Sequence, residues 1–457
     1  MQKHGFSKHL RVAFAVLCSC LVLCPPVRHL AEMPADVDLP LGQSTQIPVG
    51  VPLQVRTDSS LHHVIRVKPM NDTEHDGTAI TVLSTDLGDA DVKTRLFGVI
   101  PWKTVRVHVV PEDHVFVGGQ SIGVNLHSNG VMVVGFQPIA GKRSPSAAAH
   151  LQLGDVIVRV SGHAVHSSED LVRLVQASTG VLHMEVLRHS ASLKLSVLPE
   201  RDELGSLHLG LYVRDKAAGV GTLTFYEPQH HRFGALGHVI ADADTGQPIV
   251  GTGNIYEADV TGMVKGRAGQ PGEKRGRFRP SDTSLGRIEE NTDFGVFGSM
   301  DNMPPDSLLS RELPVALPSQ VQDGPAELWT VLHGRRVQAF SVEIETRQQQ
   351  DKPTTKSMVV HVTDPRLLKE SGGIVQGMSG SPLVQNGRLI GAVTHVFVSD
   401  PTRGYGVYAE WMLREAESPE EQAGESRGHL SKTVGLHELN AKTIQSFLAG
   451  HTHGSSN

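Results

Sequence analysis

Ser379 stands in the stretch "VQGMSGSPLVQNGRLIGAVTHVF" (375–397), between Gly377 and Gly380, with Pro382 fixing the exit. A serine hydroxyl becomes an acyl-transfer nucleophile only with a base to take its proton and N–H groups converging on the developing oxyanion. Such convergence needs a tight turn, which a glycine two residues before the serine permits. The N–H groups of Gly377 and Ser379 are then the natural oxyanion donors. Beyond the turn, "SPLVQ", "NG" and "RLIGAVTHVF" read as strand, Asn-Gly hairpin turn and strand. The G-x-S-x-G elbow of another common hydrolase layout is not met, since position 381 is Ser. A plain glycine-rich turn between two strands is the competing interpretation of the same residues.

Serine peptidases of the chymotrypsin type share this layout, and they keep their histidine far upstream, near the end of a strand in a first barrel. His238, in "RFGALGHVIADADTG", has such a place. Among 25 histidines a lone one is more often a surface or core residue, so spacing alone does not decide it. His395, in the strand after the serine, is the runner-up, although a hairpin strand suits a packed structural role better. For the carboxylate, Asp293 in "NTDFGVFG" lies in the middle region where a barrel enzyme carries its acid. Asp242 and Asp244 follow His238 too closely to fold back onto its ring. The histidine pairs at 62–63 and 230–231 and the C-terminal "HTH" lack the partner ligands of a zinc site, so no metal is expected.

The elements that must position these residues are mostly strands. Glycine (47) and proline (26) are frequent, and Val and Ile fall in short runs, which suits β-rich domains joined by turns. At 457 residues the chain has room for two or three domains, and a formal charge of −6 gives no sign of nucleic-acid binding. Cys18, Cys20 and Cys24 are the only cysteines, so a mature protein beyond them has neither disulfides nor a cysteine nucleophile. They lie in or beside the apolar run "VAFAVLCSCLVLC", which follows Lys3, Lys8 and Arg11. That run is too short for a full span, and residues 1–30 read as a signal peptide or N-terminal membrane anchor. Residues 31–110 read as a Pro-rich linker and a small β region, and residues 414–457 as a polar, disordered tail.

From 111 to 203 the order of elements is more specific. "VFVGGQSIGVNLHSNGVMVVGF" reads as a glycine-rich loop and two strands turning at "SNG". "LGDVIVRVSGHAV" follows, then "SSEDLVRLVQAS" with a Ser cap and apolar residues at helical spacing. This order resembles a PDZ domain. The resemblance implies that Gln120, Ser121, Ile122, Gly123 and Val124 present backbone N–H groups to the terminal carboxylate of a peptide. An ordinary small α+β domain is the plainer alternative. Residues 204–413 are strand-rich without a long periodic helix, the pattern of barrels, and their basic insert "KGRAGQPGEKRGRFRPSD" (265–282) reads as an exposed loop.

"FGALGHVI", the "VQGMSGSP" segment with its hairpin and "GYGVYAEWML", and the PDZ-like unit before them resemble the SpoIVB peptidase family of endospore-forming bacteria. That resemblance covers most of residues 110–413. It implies a mostly β protein in which a PDZ domain precedes a chymotrypsin-like double β-barrel serine peptidase, with no cofactor. It implies Ser379 as nucleophile, His238 as base and Asp364, in "VVHVTDPR", as the acid, although an acid only 15 residues before the serine departs from the usual order. A backbone carbonyl is a further way to orient such a histidine. The family role implied is sporulation signalling, with export across the forespore inner membrane into the intermembrane space. There the peptidase processes its own N-terminal region in trans. It also cleaves the extracytoplasmic part of a membrane regulator of an intramembrane metalloprotease, releasing pro-sigma-K processing. Two other classes compete. A non-catalytic exported PDZ scaffold is disfavoured by the presence of both Ser379 and His238. A general envelope quality-control protease usually carries its peptidase domain before the PDZ domain, not after it.

Overall fold

The computed structural model describes residues 33–48, 53–57, 63–69, 79–96, 99–189, 191–278, 283–301, 303, 311–348, 350 and 352–417. The expected signal segment, at 1–30, lies outside them, as do all but the first four residues of the expected tail. The chain divides into two units, 1–113 and 114–457.

The described part of the first unit is mostly strand from Asp36 onward, and much of the expected Pro-rich linker is strand. Asp36–Pro40 pairs in parallel with Ile100–Val110, and Gly88–Leu96 and Leu53–Thr57 complete a four-stranded sheet. Ser44–Pro48, Ala79–Ser84 and Ile65–Pro69 form a second sheet, and both share a core that includes Ile47, Val82, Val92 and Val107.

In the second unit, two long strands organise everything else. Ser121–Phe136 and Leu211–Glu227 run antiparallel, and each serves two sub-structures. Their segments nearest Ser121 and Glu227 belong to a closed six-stranded barrel. Round the ring it runs Ser121–Phe136, Gly251–Glu257, Gly286–Thr292, Gly295–Ser299, Arg232–Ala235 and Leu211–Glu227. Their other segments continue into a PDZ-like unit with Val156–Val160, Leu182–Arg188, Ala191–Val197 and the helix Ser168–Gln176. Ser167 caps that helix by accepting from the Asp170 N–H, and Leu171 and Val175 give its buried face. A second barrel of Gly324–Val331, Val337–Arg347, Met358–Val362, Asp400–Tyr408, Arg388–Phe397 and Pro382–Gln385 closes around Trp329, Phe340 and Tyr408.

The fold is therefore mostly β, a PDZ-like unit with a double β-barrel, as the residues predict, but two details differ. "SNG" is not a hairpin turn. The strand passes straight through it, because Ser128 pairs with Gly251 in the barrel while Met132 already pairs with Val156 in the PDZ-like sheet. Residues 114–128, expected inside the PDZ domain, pair with barrel strands instead, Ser121–Ser128 within the ring and His114–Val117 beside it. The predicted Asn-Gly hairpin forms as expected, with Asn386 and Gly387 both at positive φ (51° and 75°).

Candidate active site

Ser379 sits at the head of a turn that only glycine could make. Gly377 and Gly380 both have φ +88°, and a Cβ on Gly380 would lie 2.2 Å from the Thr222 carbonyl oxygen. The turn is anchored on both sides. Gln376 accepts from the Lys274 N–H at 2.8 Å, and Ser379 accepts through its backbone carbonyl from the Thr222 N–H at 3.0 Å. Because a trans peptide points its N–H opposite to its C=O, holding the Gln376 carbonyl on Lys274 aims the Gly377 N–H away from that strand.

His238 and Ser379 line one cavity of about 670 Å³, with Gly377, Thr394 and His395. The histidine follows Leu236 and Gly237, both at positive φ (69° and 68°). Leu236 is a side-chain-bearing residue in a costly conformation, the kind of local strain that clusters at working sites. Nδ1 of His238 lies 2.8 Å from the Val239 carbonyl oxygen. A carbonyl only accepts, so the ring proton is on Nδ1 and Nε2 keeps its lone pair. Burial holds the imidazole pKa below its ordinary 6.5, partly opposed by that hydrogen bond, so the ring favours the neutral form that a base needs. Its outer face packs against His395, ring centres 4.9 Å apart. The Ser379 hydroxyl donates to the Thr394 carbonyl at 2.9 Å, so attack requires it to swing about its Cα–Cβ bond toward His238.

The structure does not bring the expected acid to this histidine. Asp364 is the N-cap of the helix Pro365–Ser371 and is buried. Its carboxylate accepts from the Arg366 and Ser341 N–H groups and pairs with the Arg366 guanidinium, which together hold its pKa down to about 2. Asp293 is exposed on the turn between Gly286–Thr292 and Gly295–Ser299 and does not line the cavity. Among the described residues no carboxylate hydrogen-bonds His238; the Val239 carbonyl takes that place. Asp242, close in sequence, is spent on the Thr245 and Asp244 N–H groups and on Arg214.

One positioning group escaped the sequence reasoning. Asn291 accepts from the Ile240 N–H and donates to the carbonyls of Ile240 and Ile249, all at 2.8–2.9 Å, so it pins the chain immediately after Val239. It lies two residues from Asp293, in the same "NTD" segment. The basic insert also differs from its expected role. Its Glu273–Arg277 pairs with Asp259–Val264, just before the insert, in a hairpin that buries Lys274 beneath the Ser379 turn.

The expected PDZ loop is a correction as well. Gln120, Ser121, Ile122, Gly123 and Val124 are buried, and from Ser121 onward both edges are taken, by Leu211–Glu227 on one side and largely by Gly251–Glu257 on the other. No peptide could add a strand there. The groove beside the Ser168–Gln176 helix is bordered instead by Leu207 to Val213, a cavity of about 140 Å³ with Leu171, Val175 and Leu211 in its walls. Gly210 turns this segment at φ +66°, where a Cβ would meet the Gln137 carbonyl at 2.6 Å. "LHLGLYV" carries one glycine against three in "GGQSIGV", and long-range pairing, not glycine content, sets which one borders the groove.

A serine in a glycine-bounded turn beside a neutral histidine, between two six-stranded barrels, defines a serine peptidase that carries a PDZ-like unit. Residues 205–413 match the model of the SpoIVB peptidase S55 family, in keeping with a serine peptidase that acts on protein substrates. Among solved structures, the chain is similar to the PDZ domain of the SdrC-like protein from Listeria monocytogenes. It is 18% identical over 19% of this chain and 87% of that one, with a TM-score of 0.16. It is also similar to the active form of the Rv3671c protease from M. tuberculosis. There the identity is 17% over 45% of this chain and 76% of that one, with a TM-score of 0.25. No curated protein matches the chain.

Proposed function

We propose that Ser379 and His238 hydrolyse peptide bonds through an acyl-enzyme. The observation that carries this is the shared cavity, in which His238 has its Nδ1 committed to a carbonyl and Nε2 free, beside a serine in a glycine-bounded turn. Ser379 attacks the substrate carbonyl while Nε2 of His238 takes its proton, then returns it to the leaving amine. The Gly377 and Ser379 N–H groups stabilise the oxyanion, and the Val239 carbonyl holds the ring in the required tautomer. Water, deprotonated by the same histidine, then releases the acyl group.

The family resemblance supports a signalling role. The substrates are the protein's own N-terminal segment, cleaved in trans, and the extracytoplasmic part of a membrane regulator of an intramembrane metalloprotease, which triggers pro-sigma-K processing. Export across the forespore inner membrane fits the basic start and apolar run of residues 1–30. Wild type, Ser379→Ala and His238→Ala, each as residues 31–457, test the chemistry. Wild type should lose N-terminal mass over time and label at Ser379 with a fluorophosphonate. Both variants should stay intact until wild type is added. Three identical time courses, with no label on Ser379, would mean that the turn is only a turn.

A further inference from the structure

Lys274 is 2% exposed, and among the described residues no carboxylate pairs with it. Burial alone lowers its amino group from the usual 10.5 to about 7. A lone amino group is costly in a protein interior, and the polar partners it has here form a connected set. Its Nζ reaches Thr330 Oγ1 at 2.9 Å and Ser121 Oγ at 3.3 Å. Thr330 Oγ1 lies 3.1 Å from Ser381 Oγ, which lies 3.4 Å from Thr222 Oγ1. Thr222 in turn donates to the Gly377 carbonyl at 3.0 Å.

The two ends of this chain differ in kind. A protonated lysine only donates and a carbonyl only accepts, whereas each hydroxyl between them does both. An amino group at one end and a carbonyl at the other fix Thr330 as an acceptor and Thr222 as a donor. Ser381 bridges the two, its hydroxyl directed at Thr330 and within reach of Thr222. Hydrogen bonds linked in this manner polarise one another. The same residue also holds the other side of the turn through its backbone, its N–H on the Gln376 carbonyl.

We propose that Lys274 is a positioning residue of the peptidase centre: its amino group anchors the Thr330–Ser381–Thr222 hydroxyl cluster that ends on the Gly377 carbonyl and so holds the turn whose N–H groups bind the oxyanion. This rests on the assignment of Ser379 as nucleophile and of the Gly377 and Ser379 N–H groups as oxyanion donors. Lys274 never touches the substrate. Its effect is on kcat, because a turn free to rotate its peptides loses donors that matter most in the transition state.

Lys274→Met, Thr330→Val and Thr330→Ser in the full chain provide the test, read by peptide hydrolysis, thermal melting and the rate of fluorophosphonate labelling. Lys274→Met should melt at or above the wild-type temperature, since it removes a buried amine that no carboxylate pairs among the described residues. It should nonetheless lose about tenfold or more in kcat and labelling rate, with KM within about twofold. Thr330→Val should reproduce that loss, and Thr330→Ser, which restores the hydroxyl, should recover it. A filler residue would move stability without this split. Wild-type kcat in Lys274→Met overturns the proposal, as does wild-type kcat in Thr330→Val should the lysine variant not fold. If wild type itself leaves Ser379 unlabelled, the underlying assignment fails and the proposal falls with it. If Ser379 labels equally fast in all four proteins, the assignment stands and only the proposal fails.

Discussion

The Thr222 N–H donates to the carbonyl of Ser379 over 3.0 Å, and the Thr222 carbonyl accepts from the Leu236 N–H at 3.2 Å. One residue of the first barrel thus ties together the turn that presents the serine and the strained segment that presents the histidine. Eleven residues earlier on the same strand, Leu211 borders the groove of the PDZ-like unit.

Asn291→Ala should uncouple the histidine from its brace. It leaves the Ile240 N–H and the Ile240 and Ile249 carbonyls without their partner, a loss of about 1–3 kcal/mol in stability. With the segment after Val239 loosened, kcat should fall about 10- to 100-fold while KM moves little. Steady-state kinetics beside a denaturant melt would separate the two effects.

Asp364→Asn and Arg366→Gln should give one phenotype. Each breaks the ion pair at the start of the helix leading into the Ser379 turn while leaving a capping side chain, and each should destabilise by up to about 1 kcal/mol, the usual scale of a partly exposed pair. The carboxylate pKa is depressed to about 2, chiefly by the Arg366 hydrogen bonds. Its contribution is therefore fully present above the unfolded value of about 3.9 and is lost as pH falls toward 2, so Asp364→Asn should flatten the acid end of the stability curve. A direct acid partner of His238 would behave otherwise. Its removal would cut kcat about 10⁴-fold, and Arg366→Gln would not reproduce it.

The pH profile of kcat/KM carries a sign. His238 works as a base only when neutral, and burial lowers its pKa, so the acid limb should lie below pH 6.5 with a plateau through neutrality. A limb displaced above 7 would show a negative charge stabilising the imidazolium, which the Val239 carbonyl does not supply.

Gly380→Ala should abolish the centre without unfolding the barrels. The added Cβ would stand 2.2 Å from the Thr222 carbonyl and 2.4 Å from the Leu236 nitrogen, at a φ that alanine avoids. Loss of peptidase activity by more than about 100-fold, with far-ultraviolet circular dichroism unchanged, is the expected result.

What the sequence made legible was local. The Ser379 turn, the Asn-Gly hairpin and the capped 168–176 helix each depend on a few neighbouring residues whose backbone preferences agree. What it hid was set by distant pairing. "GGQSIGV" is the more glycine-rich of the two, yet it is flanked by barrel strands, while "LHLGLYV", with one glycine, borders an open groove. The group that orients His238 is a backbone carbonyl, which has no signature in residue type, whereas carboxylates such as Asp364 and Asp293 do. Lys274 looked like one more solvated charge in a basic insert, because nothing in "GEKRGR" tells which lysine the hairpin turns inward.

The two long strands shared by the barrel and the PDZ-like unit bear on how this molecule could be dissected. Residues 205–413, the span of the family match, omit one stave of the first barrel, Ser121–Ser128, and the strand His114–Val117 that pairs beside it. A fragment cut to that span would leave the edges of Leu211–Glu227 and Gly251–Glu257 bare, and bare strand edges recruit one another. Such a fragment should be recovered as aggregate, and supplying 114–204 as a separate chain should rescue it, as one half of a split protein rescues the other.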